Sequence, residues 1–160
     1  MEKEITTNRI ILTNYEIFRA LDDPIRVKIV QLLYKKQLNV EQISRRLKKF
    51  GYKKAVTTIR HHVEILKDSG LIEIVKMEEA RGAITKYYGS STKLLDFTLP
   101  SDFDKNYSNL ISKTSLKLNK LVGPISKNFS KTRKIQQINY NNFIIMEIIN
   151  RSMTNLLEKK

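Results

Sequence analysis

The chain has 160 residues, 30 Lys and Arg against 16 Asp and Glu, and a formal net charge of +14. It has no cysteine, which excludes disulfides, thiolate metal sites and cysteine nucleophiles, and its longest apolar run, the four residues Phe143 to Met146, is too short to span a membrane. At 41% hydrophobic it can bury a core, and the excess of positive charge favours a polyanionic partner, foremost nucleic acid.

The charged start, Met1-Glu2-Lys3-Glu4, carries no apolar signal segment, so a cytoplasmic protein is expected. A first helix is expected over Thr13 to Leu21, where Tyr15, Phe18 and Leu21 recur at helical spacing. Asp23 then caps a second helix and Pro24 takes its first position, where no backbone donor is needed. Ile25, Ile29, Leu32 and Leu33 form its apolar face. Asn39 and Gln42, three apart, have the spacing of a capping box, and Ile43 and Leu47 give that short helix its buried side. A basic turn follows around Gly51. A further amphipathic helix covers Val56 to Ser69, with Val56, Ile59, Val63 and Leu66 inward and Thr57, Arg60, His61 and Glu64 outward. Gly70 ends it.

The period then changes. Leu71 to Lys76 and Ile84 to Tyr88 read as strands, joined by a polar loop from Met77 to Ala83, which makes a β-hairpin. Periodicity is lost around Thr98 to Asp104, with Pro100 inside, and this sets a boundary between residues 1–99 and 100–160. Beyond it, Tyr107, Leu110, Ile111, Thr114, Leu118, Leu121, Val122 and Ile125 predict a helix interrupted near Gly123-Pro124. A last helix is expected from about Lys134 to Leu157. Its stripe of Ile135, Ile138, Ile145, Ile149, Met153 and Leu156 is widened by Phe143, Ile144 and Ile148. So broad an apolar face suits a subunit interface. Packing on its own domain, or a hydrophobic ligand pocket between the two helices, are the other readings.

The charge is unevenly placed. From Arg45 to Lys67 there are eight basic residues against Glu64 alone, so 23 residues hold a net +7. A solvated charged face is the plain reading. The helix it surrounds makes a groove-facing surface the stronger one. The expected fold class is mainly α with a small β-hairpin (α+β): a winged helix-turn-helix with a C-terminal helical dimerisation extension.

Three segments carry a family resemblance. Ala20-Leu21-Asp22-Asp23-Pro24-Ile25-Arg26-Val27-Lys28-Ile29 resembles the opening of ArsR-type transcriptional regulators. Thr57-Thr58-Ile59-Arg60-His61-His62-Val63-Glu64-Ile65-Leu66-Lys67-Asp68-Ser69-Gly70-Leu71-Ile72 resembles that family's recognition helix and the turn after it. Tyr87-Tyr88 matches the aromatic pair that closes its second wing strand. Together they span roughly residues 15 to 95. The resemblance implies a homodimer on pseudo-palindromic double-stranded DNA, with the helix from Val56 to Ser69 in the major groove and the wing tip near the minor groove. Carried over by position, Thr57, Arg60 and His61 face the groove, Arg81 reaches the minor groove, and Lys53 and Lys54 meet phosphates. Arg45, Thr58, Lys76 and Lys86 complete the candidate DNA-binding set, and Arg60 is the residue suited to a bidentate contact with guanine. Tyr15, Phe18, Ile138, Ile145, Ile149, Met153 and Leu156 are the candidate dimerisation residues.

The chain departs from the family in having about five more residues between Leu47 and His62, so Lys48 to Lys54 reads as an enlarged basic turn. Family members that sense metals do so through cysteines, or through His and Asp on the C-terminal helix. Here the only histidines, His61 and His62, are neighbours on a helix about 100° apart. No metal or cofactor is therefore expected, no effector is named, and the histidine pair reads as structural or DNA-facing. The functional expectation is a sequence-specific regulator, a repressor by family default and nucleoid-associated. An architectural DNA-coating protein and a winged-helix interaction module are the alternatives. No phosphate loop, triad or supported carboxylate pair points to an enzyme.

Overall fold

In the computed structural model the described residues are 7, 9–127 and 135–158. Met1-Glu2-Lys3-Glu4 and the expected helix start at Lys134 lie outside them. The elements run α1 (Tyr15–Leu21), α2 (Pro24–Leu33), α3 (Val40–Lys49), α4 (Val56–Asp68), β1 (Glu73–Ala80), β2 (Ala83–Gly89), α5 (Phe103–Lys127) and α6 (Ile135–Glu158). They fall into two compact units, Thr13–Phe97, and Met1–Leu12 with Thr98–Lys160.

The first three helices begin at side-chain caps. Asn14 accepts from the Ile17 amide at 2.8 Å, and Asp23 accepts from the Ile25 amide at 2.7 Å with Pro24 in the first turn. Asn39 and Gln42 close a reciprocal capping box at 2.9 and 3.0 Å. Each cap satisfies amides that have no partner within the helix, which fixes where the helix starts. Helices α2, α3 and α4 then enclose one core. Ile29, Val30 and Leu33 of α2, Ile43 and Leu47 of α3, and Ile59, Val63 and Leu66 of α4 are fully buried. From α1, Ala20 is buried and Ile17 and Leu21 pack partly against that core, whereas Tyr15 and Phe18 remain in solvent.

The hairpin is longer than the sequence suggested. The stretch from Met77 to Ala83 was expected to be a loop, but β1 continues to Ala80 and only Arg81 and Gly82 turn the chain. Both have positive φ, 51° and 75°, the backbone of a two-residue type I′ turn. The polar run reads as loop because a half-buried strand needs alternating apolar residues. A wing exposed on both faces needs none, and backbone pairing suffices. The helical unit also lends the wing a partner: Leu38 exchanges backbone hydrogen bonds with Tyr88 at 2.9 and 3.0 Å. Ser90 Oγ donates to the Leu71 carbonyl at 2.7 Å beside them. These bonds anchor the wing base to the core through the buried Tyr88 ring.

Two further boundaries differ. Lys48 and Lys49 belong to the last turn of α3, so the turn before α4 is residues 50–55 rather than 48–54. Lysine is a good helix former and is favoured at a helix C-terminus, where the macrodipole is negative. The expected interruption at Gly123-Pro124 is absent, and α5 continues to Lys127. Proline removes one backbone bond there, but Lys120, whose carbonyl it frees, is exposed, so water can take the place of the lost donor.

Helices α5 and α6 touch one another, yet neither has a buried residue. Ile145 and Ile149 are half-buried, while Ile138, Met153 and Leu156 are exposed, the last at 68%. On α5, Leu110 and Leu121 are likewise exposed.

Candidate nucleic-acid interface

Helix α4 is amphipathic, and its inward side is fixed by Ile59, Val63 and Leu66. That orientation leaves Thr57, Arg60 and His61 exposed, with Thr58 half-buried between them. The N-terminus of α4 differs from those of α1, α2 and α3. Its N-cap is Ala55, which offers no side-chain acceptor. The first-turn amides therefore lack a side-chain partner, and they follow directly on exposed Lys53 and Lys54. Arg45, Arg46, Lys48 and Lys49 of α3 are exposed as well, and α3 packs against α4. The turn between these helices is ordered by Gly51, with φ 89°, and by Lys28, whose Nζ lies 3.9 Å from the centre of the Phe50 ring.

Sequence reasoning missed two contacts here. Arg60 Nη2 lies 3.8 Å from the carboxylate of Glu41, in the first turn of α3. Helical spacing within α4 cannot show a partner on another helix. The second contact concerns His62, which is buried while its neighbour His61 is exposed. Arg26 of α2 reaches across to it: Nη1 sits 3.4 Å from His62 Nδ1. A guanidinium only donates, so Nδ1 accepts and the ring proton is on Nε2. The same guanidinium donates from Nε to the Ala20 carbonyl at 2.5 Å and from Nη2 to the Arg19 carbonyl at 3.1 Å. Arg26 thus closes the end of α1 and braces α4 at once. Burial pushes the His62 pKa down. Nearby Asp23 opposes that, and Arg26, His61 and Lys54 add to it.

The wing does not extend the positive surface uniformly. Lys76 faces Tyr87 across the ladder and Lys86 faces Met77, so the two lysines point to opposite sides of the hairpin. Lys76 is ion-paired with Glu78, which also accepts from the Tyr87 hydroxyl at 2.7 Å. The partner carboxylate raises the Lys76 pKa and is itself lowered. Over the hairpin Glu73, Glu78 and Glu79 offset Lys76, Arg81 and Lys86. Arg81 stands at the tip, exposed. The candidate residues therefore form one cluster on α3, the turn and α4, and a separate cationic tip on the wing. Of the remaining candidates, Tyr15 and Phe18 are exposed on α1, and Ile138, Ile145, Ile149, Met153 and Leu156 lie along α6.

An exposed helix entered by a basic turn and followed by a hairpin is the arrangement of a winged helix-turn-helix. Residues 21–75 match the model of a family described as a helix-turn-helix domain. That match covers helices α2 to α4 and the start of β1. Among solved structures it is similar to the solution structure of a homodimeric winged helix-turn-helix DNA-binding domain from Mycobacterium bovis, described as a possible ArsR-family transcriptional regulator. The identity is 20% and the TM-score 0.36, over 66% of this chain and 81% of that one. No curated protein matches the chain.

Proposed function

We propose that the protein is a sequence-specific DNA-binding transcriptional regulator that acts as a homodimer. The observation that carries this reading is the exposed face of α4, with Thr57, Arg60 and His61 free of the core on a helix surrounded by lysines and arginines. In this reading α4 lies in the major groove and Arg60 contacts guanine. Arg45, Lys53, Lys54 and the uncapped first-turn amides of α4 meet phosphates, which adds affinity but no sequence information. Arg81 at the wing tip reaches the minor groove, and of the two wing lysines Lys76 is already held by Glu78.

Residues 1–99 form the DNA-binding part and residues 100–160 the dimerising part. The unburied apolar faces of α5 and α6 support the assignment, because helices of this composition gain stability by burying such faces. Occlusion of a promoter, and hence repression, is the mode the family resemblance supports, with the protein held on the nucleoid. Selection of bound fragments from genomic DNA tests the reading. A recurrent pseudo-palindrome with half-sites about one helical turn apart is expected. Competition by random DNA as effective as by the selected fragments would replace specific regulation by an architectural role.

A further inference from the structure

Glu41 and Arg60 form an ion pair across α3 and α4, within the cluster of candidate DNA-binding residues. The carboxylate and guanidinium are 3.8 Å apart, and both side chains are open to solvent, at 54% and 58%. An ion pair so exposed is screened and returns little stability. Its location is costly in another respect. Glu41 places a negative charge beside the arginine that points out of the recognition helix, on the side of the domain where lysines and arginines predominate. There it weakens attraction to phosphate. At 3.8 Å, beyond hydrogen-bond reach, the carboxylate draws the Nη2 end of the guanidinium toward α3 by charge and so biases its direction. A free guanidinium binds phosphate as readily as a base edge, and a bidentate contact with guanine requires the planar fork to be held in one orientation.

We propose that Glu41 is a specificity-determining residue: it positions the Arg60 guanidinium for guanine and discourages its use as a phosphate contact. This rests on the DNA-reading function proposed above. Glu41 touches no base in this scheme and acts through Arg60. The proposal therefore predicts two effects of opposite sign. Removing the charge weakens discrimination while it strengthens binding to DNA of any sequence.

The test uses the full chain, fragments selected by the unaltered protein, and random DNA at fixed salt. Glu41→Gln is expected to lower the ratio of specific to random affinity about tenfold, with the loss confined to the guanine position. Its affinity for random DNA is expected to rise, with a salt dependence no shallower than before. In an Arg60→Ala background, Glu41→Gln should leave the ratio where Arg60→Ala alone puts it, because the residue acts through a partner that is gone. A role confined to the α3 N-terminus would alter the melting temperature only. An unchanged ratio in Glu41→Gln overturns the proposal, as does an equal drop in the Arg60→Ala background. A failure of the DNA-reading function itself is distinct, since the unaltered protein would then show no preference for selected over random DNA.

Discussion

Arg26 is the side chain whose loss should be felt furthest. Replacing it by Met keeps much of the aliphatic stem and removes the guanidinium of a side chain that is only 14% exposed. The bond to the Ala20 carbonyl, at 2.5 Å in a half-buried site, is charge-assisted and worth about 1.5–3 kcal/mol. The bond to the Arg19 carbonyl is exposed, and water replaces it at little cost. The 3.4 Å contact with His62 is long and contributes about 0.5 kcal/mol. Asp23 is not orphaned by the change, since it still accepts from the Ile25 amide. The sum is a loss of about 2–3.5 kcal/mol. Urea denaturation at neutral pH should show a lower midpoint with an unchanged slope, and amide exchange should rise most in α1. A loss below about 0.5 kcal/mol would refute the reasoning, because it would mean that water already satisfies the end of α1.

Three other outcomes are expected. His62 is neutral in the folded chain with its pKa held down by burial, so near pH 6 the unfolded chain binds more protons. Its contribution is therefore complete above about pH 6.5 and is lost as pH falls below that value toward the lowered folded pKa. Thermal melts from pH 7.5 to 5.5 should show this loss, and a His62→Asn variant with the same pH slope would exclude His62 as its source. Asn39→Ala removes the acceptor of the α3 capping box and should cost about 1 kcal/mol, measured by the same denaturation. Lys53→Ala should weaken binding to all DNA sequences alike and reduce the salt slope by about 1, whereas an unaltered slope would take Lys53 off the phosphate backbone.

The helix starts were legible because they are local chemistry. Asp23-Pro24 and the Asn39–Gln42 pair do in the structure what their spacing announces. The α4 face was equally legible, since Ile59, Val63 and Leu66 fix which residues turn outward. What escaped was non-local or depended on exposure. The wing length was hidden because Met77 to Ala80 pair through the backbone, although Arg81-Gly82 was a turn signal for a longer hairpin. The Leu38–Tyr88 bonds join segments 50 positions apart, and no pattern along one helix reveals them. Arg26 lay within a quoted motif, yet its reach to His62 depends on how α2 crosses α4. Glu41 lies outside the basic cluster and carries the opposite charge, so an excess of positive residues does not point to it.

The helices beyond residue 100 have a consequence for dosage. Neither α5 nor α6 buries a described residue fully, so each gains from its own chain only part of the burial energy on which most helices depend. In the proposed dimer that energy comes from a second copy, and the order of the segment becomes a function of how many copies the cell holds. Occupancy of an operator by such a protein rises with roughly the square of its concentration while monomer predominates. A modest change in synthesis would then shift regulation sharply, with no bound effector required.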